Sequence, residues 1–363
     1  MSFVGCKTPR ALPVSGAAPL KEGPVRVLVF GDLHFKPRTA RNDAAFAERT
    51  LAFAETCNKA GEGCSIDAAV CLGDVLDGHR TVDFPAQNRA FRFFEALAQT
   101  APLFVLVGNH DRASNTEHLT DESALLTFKH IPGVVLVDRV SAYAIGALRF
   151  LFVPYVHKGR FEEAVGPIRP GAVAAVFAHQ EFRGAVSLGA RRSEDGDDWA
   201  GGHPLVISGH FHDQQALGGN VLYVGAAFQQ NAKEDPHKGF SLFDFAPGGG
   251  CVWWFAEGVV EPLLEVRIRA EDLNGYVPPA RGKVRLLVEC GDEAQLCALE
   301  KSESVRRLRA RGVDVRLSKP AHAPARAALC ASRERSLGRL LDQSLAGKTS
   351  LAALWKEVKE ATT

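Results

Sequence analysis

The chain has 363 residues, 46% of them hydrophobic and 23% charged, with 43 Lys and Arg against 42 Asp and Glu. That is ordinary globular composition, long enough for a full core and two domains, and a formal net charge of +1 points to no partner by itself. No apolar run is long enough to span a bilayer and no signal peptide with an apolar core is present, so an intracellular, non-secreted protein of the cytoplasm, nucleus or nucleoid is expected. The eight cysteines show no Cys-x-x-Cys pair and no framework spacing. Cys57, Cys71 and Cys290 lie in or beside apolar runs and read as small core residues of a reduced protein. Charge is uneven: residues 263–363 carry a net +6, which leaves about −5 for the rest. An acidic body with a basic C-terminal part suits a metal centre and an anionic partner; solvated surface charge is the alternative.

In chain order, residues 1–24 read as a loose arm rich in Pro, Gly and Ala. Val25–Phe30 is a buried strand candidate running into Gly31-Asp32-Leu33-His34. A helix is expected over residues 42–60, capped by Asn42 or Asp43. A second strand, Ala68–Leu72, ends in Gly73-Asp74-Val75-Leu76-Asp77, and a helix over residues 85–99 follows. A third, Leu103–Val107, ends in Gly108-Asn109-His110-Asp111. Asp121 is a candidate cap for a short helix, and short strands without intervening helices then suggest a second, partly antiparallel sheet. Val173–Phe177 leads to Ala178-His179, and a long polar stretch covers residues 184–202. Leu205–Ile207 leads to Ser208-Gly209-His210-Phe211-His212, where alternation along a strand would set both imidazoles on one side. Strands near 221–224, 240–245 and 252–255 close this part. Beyond Pro262 comes a small βαβ-like module, with one helix over residues 293–311, and then two terminal helices over 327–345 and 351–360.

Five strand ends thus carry one device, an apolar strand followed by polar metal-type residues. A single histidine more often fills a core or surface position than binds a metal; the ordered set is what argues for a centre. Asp32, His34, Asp74, Asn109, His179, His210 and His212 mix imidazole, carboxylate and one amide oxygen, a donor set for Mn, Fe or Zn rather than for Ca or Mg, which prefer all-oxygen sites. Seven ligands exceed one tetrahedral ion and suit two ions about 3.5–4 Å apart that share a carboxylate and clamp a phosphoryl oxygen. His110 is a candidate general acid for the leaving oxygen, or a group that stabilises developing charge. Asp77 reads as a residue that orients a ligand or an approaching phosphate. His79 and His157 read as surface or loop histidines; Trp253-Trp254 could stack a base, but neighbours in a strand point oppositely, so at least one reads as core.

The series Asp32-x-His34, Gly73-Asp74-x-x-Asp77, Gly108-Asn109-His110-Asp111, His179 and Gly209-His210-x-His212 resembles the motif set of the calcineurin-like metallophosphoesterases over roughly residues 25–255. The resemblance implies an α/β (α+β) four-layer αββα sandwich. It also implies one metal on Asp32, His34, Asp74 and His212, and another on Asp74, Asn109, His179 and His210, with Asp74 bridging. A narrower likeness is to the SbcD nucleases and their meiotic-recombination-eleven relatives. It is carried by Ala178-His179-Gln180-Glu181-Phe182-Arg183-Gly184-Ala185, by the stretch from Tyr223 to Asn231, and by Lys238-Gly239-Phe240, with Ala226 where those nucleases usually have serine.

That likeness implies a DNA nuclease of repair or recombination, with exonuclease and endonuclease action and manganese as the first choice of metal; Fe, Zn and Mg are alternatives. It implies domains at 25–262 (nuclease), 263–320 (capping and DNA binding) and 321–363 (helices for an SbcC-type, SMC-like ATPase). DNA, that ATPase and a second copy in a homodimer are the expected partners, and no membrane. The alternative on the same metal core is a small-molecule phosphodiesterase or phosphatase; a non-catalytic accessory subunit is a further one.

Overall fold

The structure is a computed structural model that describes residues 10–12, 23–59, 64–169, 171–187, 191–218 and 220–318. The chain divides into two compact units, residues 1–265 with 278–284, and residues 266–277 with 285–363.

The first unit is built on two sheets. In one, β1 (Arg10–Leu12) is followed across the sheet by β15 (Cys251–Glu257), β14 (Gly239–Phe245), β2 (Val25–Phe30), β3 (Ala68–Cys71), β4 (Leu103–Leu106) and β5 (Val134–Val137). β2 to β5 are parallel, and β14 runs antiparallel to β2. The other sheet has the order β12 (Gln215–Leu217), β13 (Val221–Tyr223), β11 (Val206–Gly209), β8 (Ala175–His179), β7 (Leu148–Val153) and β6 (Ser141–Ile145). Its middle strands β7, β8, β11 and β13 are parallel, and hairpin or edge pairings finish both sides.

Alternation decides what each strand face covers. Val25, Val27 and Val29 of β2 join Phe150, Phe152, Phe177, Ile207, Phe243 and Trp253 in a core between the sheets. Leu28 and Phe30 point the other way, into a second core with α1 (Ala40–Lys59) and α2 (Phe84–Ala98), whose Phe46, Phe93, Phe94 and Leu97 lie on that side. Each fully buried aromatic contributes about 1.5–3 kcal/mol by leaving water. The outer face of the second sheet packs on Phe161 of the five-residue α3 (Phe161–Val165), on Phe182 and on Trp199. The αββα layering is therefore present; among the described residues its fourth layer is the short α3 together with Phe182 and Trp199.

Several expectations need correction. Arg10–Leu12, inside the expected loose arm, is an edge strand because the outer edge of β15 offers free ladder groups; residues 1–9 and 13–22 lie outside the described residues. Neither Asn42 nor Asp43 caps α1: the helix begins at Ala40, after a 3-10 turn at Pro37–Thr39, and buried Asp43 instead accepts Arg89 Nε at 2.9 Å. Asp121 caps nothing; it pairs with Arg139, while the short helix is a 3-10 turn at Leu126–His130. The described parts of the polar 184–202 stretch are anchored. They contain the hairpin β9 (Val186–Ser187) and β10 (Arg191–Arg192), and Asp197 accepts Gln180 Nε2 at 2.6 Å and the Phe161 amide at 2.9 Å.

β16 (Leu263–Arg269), β17 (Lys283–Glu289) and β18 (Asp314–Ser318), most of whose residues belong to the second unit, form a sheet with β17 and β18 parallel. The single helix expected over 293–311 is two, α4 (Glu293–Glu300) and α5 (Glu303–Ala310), because Ser302 restarts the helix by accepting the Val305 amide. The terminal helices expected within 321–363 lie outside the described residues. No helix among the described residues is long and apolar enough to cross a membrane.

Candidate metal centre

β2, β3 and β4 of one sheet and β8 and β11 of the other deliver their carboxyl ends to one place. The loops after β2 and β3 zip together: the Asp32 amide donates to Gly73 O at 3.0 Å and the His34 amide to Asp74 O at 2.9 Å. Among the described residues only four non-glycine positions have φ in the left-handed region, Asp32 (51°), His34 (44°), Asp74 (50°) and His210 (91°). Such backbone costs about 1–3 kcal/mol per residue and persists where surrounding structure imposes it. All four are residues that the sequence singled out as ligands. The strain is what turns each polar side chain inward directly after an apolar strand has ended.

It also corrects the alternation argument. β11 stops at Gly209, His210 is left-handed, and the two rings part. His210 Nδ1 lies 2.8 Å from Asn109 Oδ1, whereas His212 Nε2 lies 3.1 Å from His34 Nε2. His179 Nε2 joins the first set, 2.9 Å from Asn109 Oδ1. Asp74 stands between the two sets: its Oδ1 is 3.4 Å from His179 Nε2 and its Oδ2 is 3.5 Å from His34 Nε2. Three groups have ligand atoms close enough to share an ion: Asp32, His34 and His212; His34, Asp74 and His110; Asp32, Asp74 and His179. All seven expected ligands are thus brought together, and His110 with them.

The residues fit divalent metal. Asp32 is wholly buried, its Oδ1 accepts the His210 amide at 2.9 Å, and its Oδ2 has no hydrogen-bond partner among the described residues. A buried carboxylate oxygen left without a donor is costly unless a cation takes it. Electrostatics in the metal-free protein agree. Burial works to raise the Asp74 carboxyl, but the imidazoles of His179, His34 and His110 outweigh it and hold the group well below the usual carboxylate range. Burial would lower His179, yet Asp74 carries it to about 9. Burial and then the charge of His179 push His210 down to about 3.

Glycine is required where these loops touch. A Cβ on Gly108 would stand 2.2 Å from Asp74 Oδ1 and 2.3 Å from Asp74 N. Gly108→Ala is therefore expected to displace the shared carboxylate and lower divalent-metal affinity at least about tenfold, since misplaced metal shells cost about 10–100-fold. Gly209→Ala, whose Cβ meets its nearest atoms at 3.1 Å, should cost far less. Calorimetric titration of both variants with Mn2+ checks the contrast.

The candidate acid has a defined setting. His110 Nδ1 lies 3.0 Å from the Asp77 carbonyl oxygen, so Nδ1 carries the hydrogen and Nε2 is the atom free to exchange a proton. Its ring meets His34 edge-on at 4.7 Å and stacks on His79 at 4.5 Å. His79, expected as a bystander, is thus exposed but in contact with the site; His157 is a loop histidine whose Nδ1 faces Lys158 O. Asp77 is 3.4 Å from His34 Nδ1 and accepts Lys36 Nζ at 2.5 Å; the nearby His34 imidazole and then the Lys36 ammonium overcome burial and hold its carboxyl below the ordinary range.

Sequence reasoning gave no role to Asp111, Glu234, Lys36 or Arg112. Asp111 is buried and accepts the amides of Leu76 (2.9 Å), Gly108 (3.0 Å) and Val75 (3.2 Å), clamping the second and third ligand loops together. Glu234 Oε1 is 3.1 Å from His212 Nδ1. Arg112 is buried and donates to the carbonyls of Tyr155 and Glu117, and the Tyr155 ring lies 6.1 Å from that of His210. A signal did exist for Asp111, the last residue of a quoted motif; none marked Arg112.

Comparison with known proteins follows this geometry. The family described as calcineurin-like phosphoesterase matches residues 25–214, which hold all seven candidate ligands and His110. The chain is 38% identical over 215 residues to "Putative phosphoesterase 078R" of Invertebrate iridescent virus 3, covering 58% of this chain and 59% of that one. It is 33% identical over 225 residues to "Putative phosphoesterase 244L" of Invertebrate iridescent virus 6, covering 61% of this chain and 76% of that one. The chain therefore spans under two thirds of the first of these relatives. Among solved structures it is similar to the chain titled "GAP50 the anchor in the inner membrane complex of Plasmodium", at 12% identity and a TM-score of 0.41, over 66% of this chain and 87% of that one, a likeness too slight to carry function. The strand-end motifs, the match over residues 25–214 and the two viral relatives together show that the chain belongs to the calcineurin-like phosphoesterase family.

Proposed function

We propose that the chain is a metal-dependent phosphodiesterase that cuts DNA, a nuclease of SbcD type with two divalent ions, manganese foremost. Asp32, His34, Asp74 and His212 hold one ion; Asp74, Asn109, His179 and His210 hold the other. One observation carries the reading: the Tyr223–Lys238 segment, whose sequence is most like those nucleases, folds around the ligand loops. Tyr223 Oη accepts the Phe182 amide at 2.8 Å and donates to Gln180 O at 2.9 Å, steadying the turn after His179. Gln230 Nε2 donates to Leu33 O at 3.1 Å, behind His34, and Lys238 Nζ donates to the His212 carbonyl and to Asp213 Oδ1.

The ions, when bound, would polarise the phosphate and make water a nucleophile at neutral pH. The chain's own part is orientation and proton transfer. Asp74 keeps the two ligand sets in register, and His110, with Nδ1 committed to Asp77 O, offers Nε2 to the departing oxygen. An SbcC-type ATPase, a second copy of the chain and an intracellular setting belong to the same proposal. They rest on the sequence likeness.

The test is incubation of the purified chain and Mn2+ with end-labelled DNA, beside a nitrophenyl phosphodiester and a nucleotide. DNA cleavage is expected, and His110→Ala should slow it by about 10²–10⁴-fold. Hydrolysis of the small esters alone would put the chain with small-molecule phosphodiesterases or phosphatases instead, a reading open to relatives named only as phosphoesterases.

A further inference from the structure

Two imidazoles of the metal centre have a carboxylate behind them, and each carboxylate has a lysine. His34 Nδ1 is 3.4 Å from Asp77 Oδ1, which takes Lys36 Nζ at 2.5 Å. His212 Nδ1 is 3.1 Å from Oε1 of Glu234, and Lys238 Nζ lies 3.9 Å from Glu234 Oε2. Glu234 is 5% exposed and held from several sides. Its Oε2 accepts the Gln230 amide at 3.0 Å, its Oε1 accepts Asn231 Nδ2 at 2.9 Å, and its carbonyl accepts Gln229 Nε2 at 3.1 Å. A buried carboxylate fixed this firmly has little freedom to follow the histidine; the histidine must follow it.

The consequence lies on the opposite side of the rings. The hydrogen that His212 Nδ1 gives to Glu234 leaves a lone pair on its Nε2. That Nε2 faces His34 Nε2 at 3.1 Å, beside the unpartnered Asp32 Oδ2. A cation, or a proton on the His34 nitrogen, is what lets the two nitrogens lie so close. The other side of the centre is built differently: His179 Nδ1 is opposite the Leu72 carbonyl oxygen at 2.7 Å, and His210 Nε2 is 3.9 Å from its nearest carboxylate, Glu181.

We propose that Glu234, held by the Gln230 amide and Asn231 Nδ2, is a positioning residue for the metal centre: it fixes the tautomer and plane of His212 so that Nε2 points at the ion shared with His34 and Asp32. The inference rests on the metal-centre reading above. It concerns a residue outside the ligand set and outside the matched 25–214 region.

The experiment is Mn2+ titration by calorimetry of the EDTA-stripped full chain, wild type against Glu234→Gln, with the metal-free melting temperature of each as a control for folding. Glu234→Gln keeps the shape and loses the charge. It is expected to weaken one of the two ions by about 10–100-fold, leave the other within about threefold, and change the d–d absorption of the Co2+-loaded protein. Unchanged affinity for both ions, or loss of both together with a lower metal-free melting temperature, overturns the proposal. Should Glu234→Gln fail to fold, long-range 15N–1H histidine correlations of the Zn2+-loaded wild type decide the matter: a proton on Nδ1 of His212 supports the role and a proton on Nε2 overturns it. A wild-type chain that binds no Mn2+ would instead remove the metal-centre reading itself, so the two failures are distinguishable.

Discussion

Asp74→Ala is expected to abolish phosphoester hydrolysis, a loss of at least about 10³-fold, because the polarisation supplied by bound metal is worth several kcal/mol and each 1.36 kcal/mol is a factor of ten. The reason is geometric. Oδ1 faces His179 at 3.4 Å and Oδ2 faces His34 at 3.5 Å, so one carboxylate serves both ligand sets. Losing His212 or His210 should impair one ion each; losing Asp74 should impair both. The fold is expected to survive, since the strand ends are also zipped by backbone bonds from Asp32 to Gly73 and from His34 to Asp74. Hydrolysis assays with circular dichroism on the same sample check the two halves of this statement.

Asp111→Ala should have the largest effect on stability, about 3 kcal/mol or more. Three buried amides, of Val75, Leu76 and Gly108, would lose their acceptor, and each orphaned group costs about 1–3 kcal/mol. The same residue gives a pH signature. Burial and then the neighbouring charge of Asp74 push the Asp111 carboxyl up to about 7 in the metal-free protein, against the three amides that pull it down. A folded-state value above the unfolded one means that the folded state holds the proton more tightly. Its contribution to stability is therefore complete below the ordinary carboxylate range and is lost as pH rises through about 7. In EDTA, the melting temperature of the wild type should fall between pH 5 and pH 8 relative to that of Asp111→Asn. Added divalent metal should remove the difference by neutralising Asp74. Parallel melting curves across that range would show that Asp111 ionises normally.

Much of the fold was legible because apolar runs of β-branched residues ending in glycine mark buried parallel strands, as in Val25–Phe30, Ala68–Leu72 and Leu103–Val107. The ligand set was legible for the same reason: its members sit at those junctions. What could not be read is what depends on tertiary partners. Asp43 looked like a cap because its helix appears to start there, yet Arg89, 46 positions away, makes it an interior ion pair. His79 looked peripheral because its stacking partner is 31 positions downstream. Glu234 is one acidic residue in a polar stretch until the chain folds and brings it to His212, 22 positions back. Spacing found the His210–His212 pair and the family resemblance divided it between two ions; alternation alone would set both rings on one side, and it fails here because strand geometry ends where φ becomes positive.

Equilibrium Mn2+ titration of the EDTA-stripped chain, with free Mn2+ read by electron paramagnetic resonance, tests the two-ion centre most directly. Two ions bound per wild-type chain and neither retained at comparable affinity by Asp74→Ala is the predicted result. A wild type that binds none, or an Asp74→Ala protein that binds two as tightly as the wild type, would contradict it.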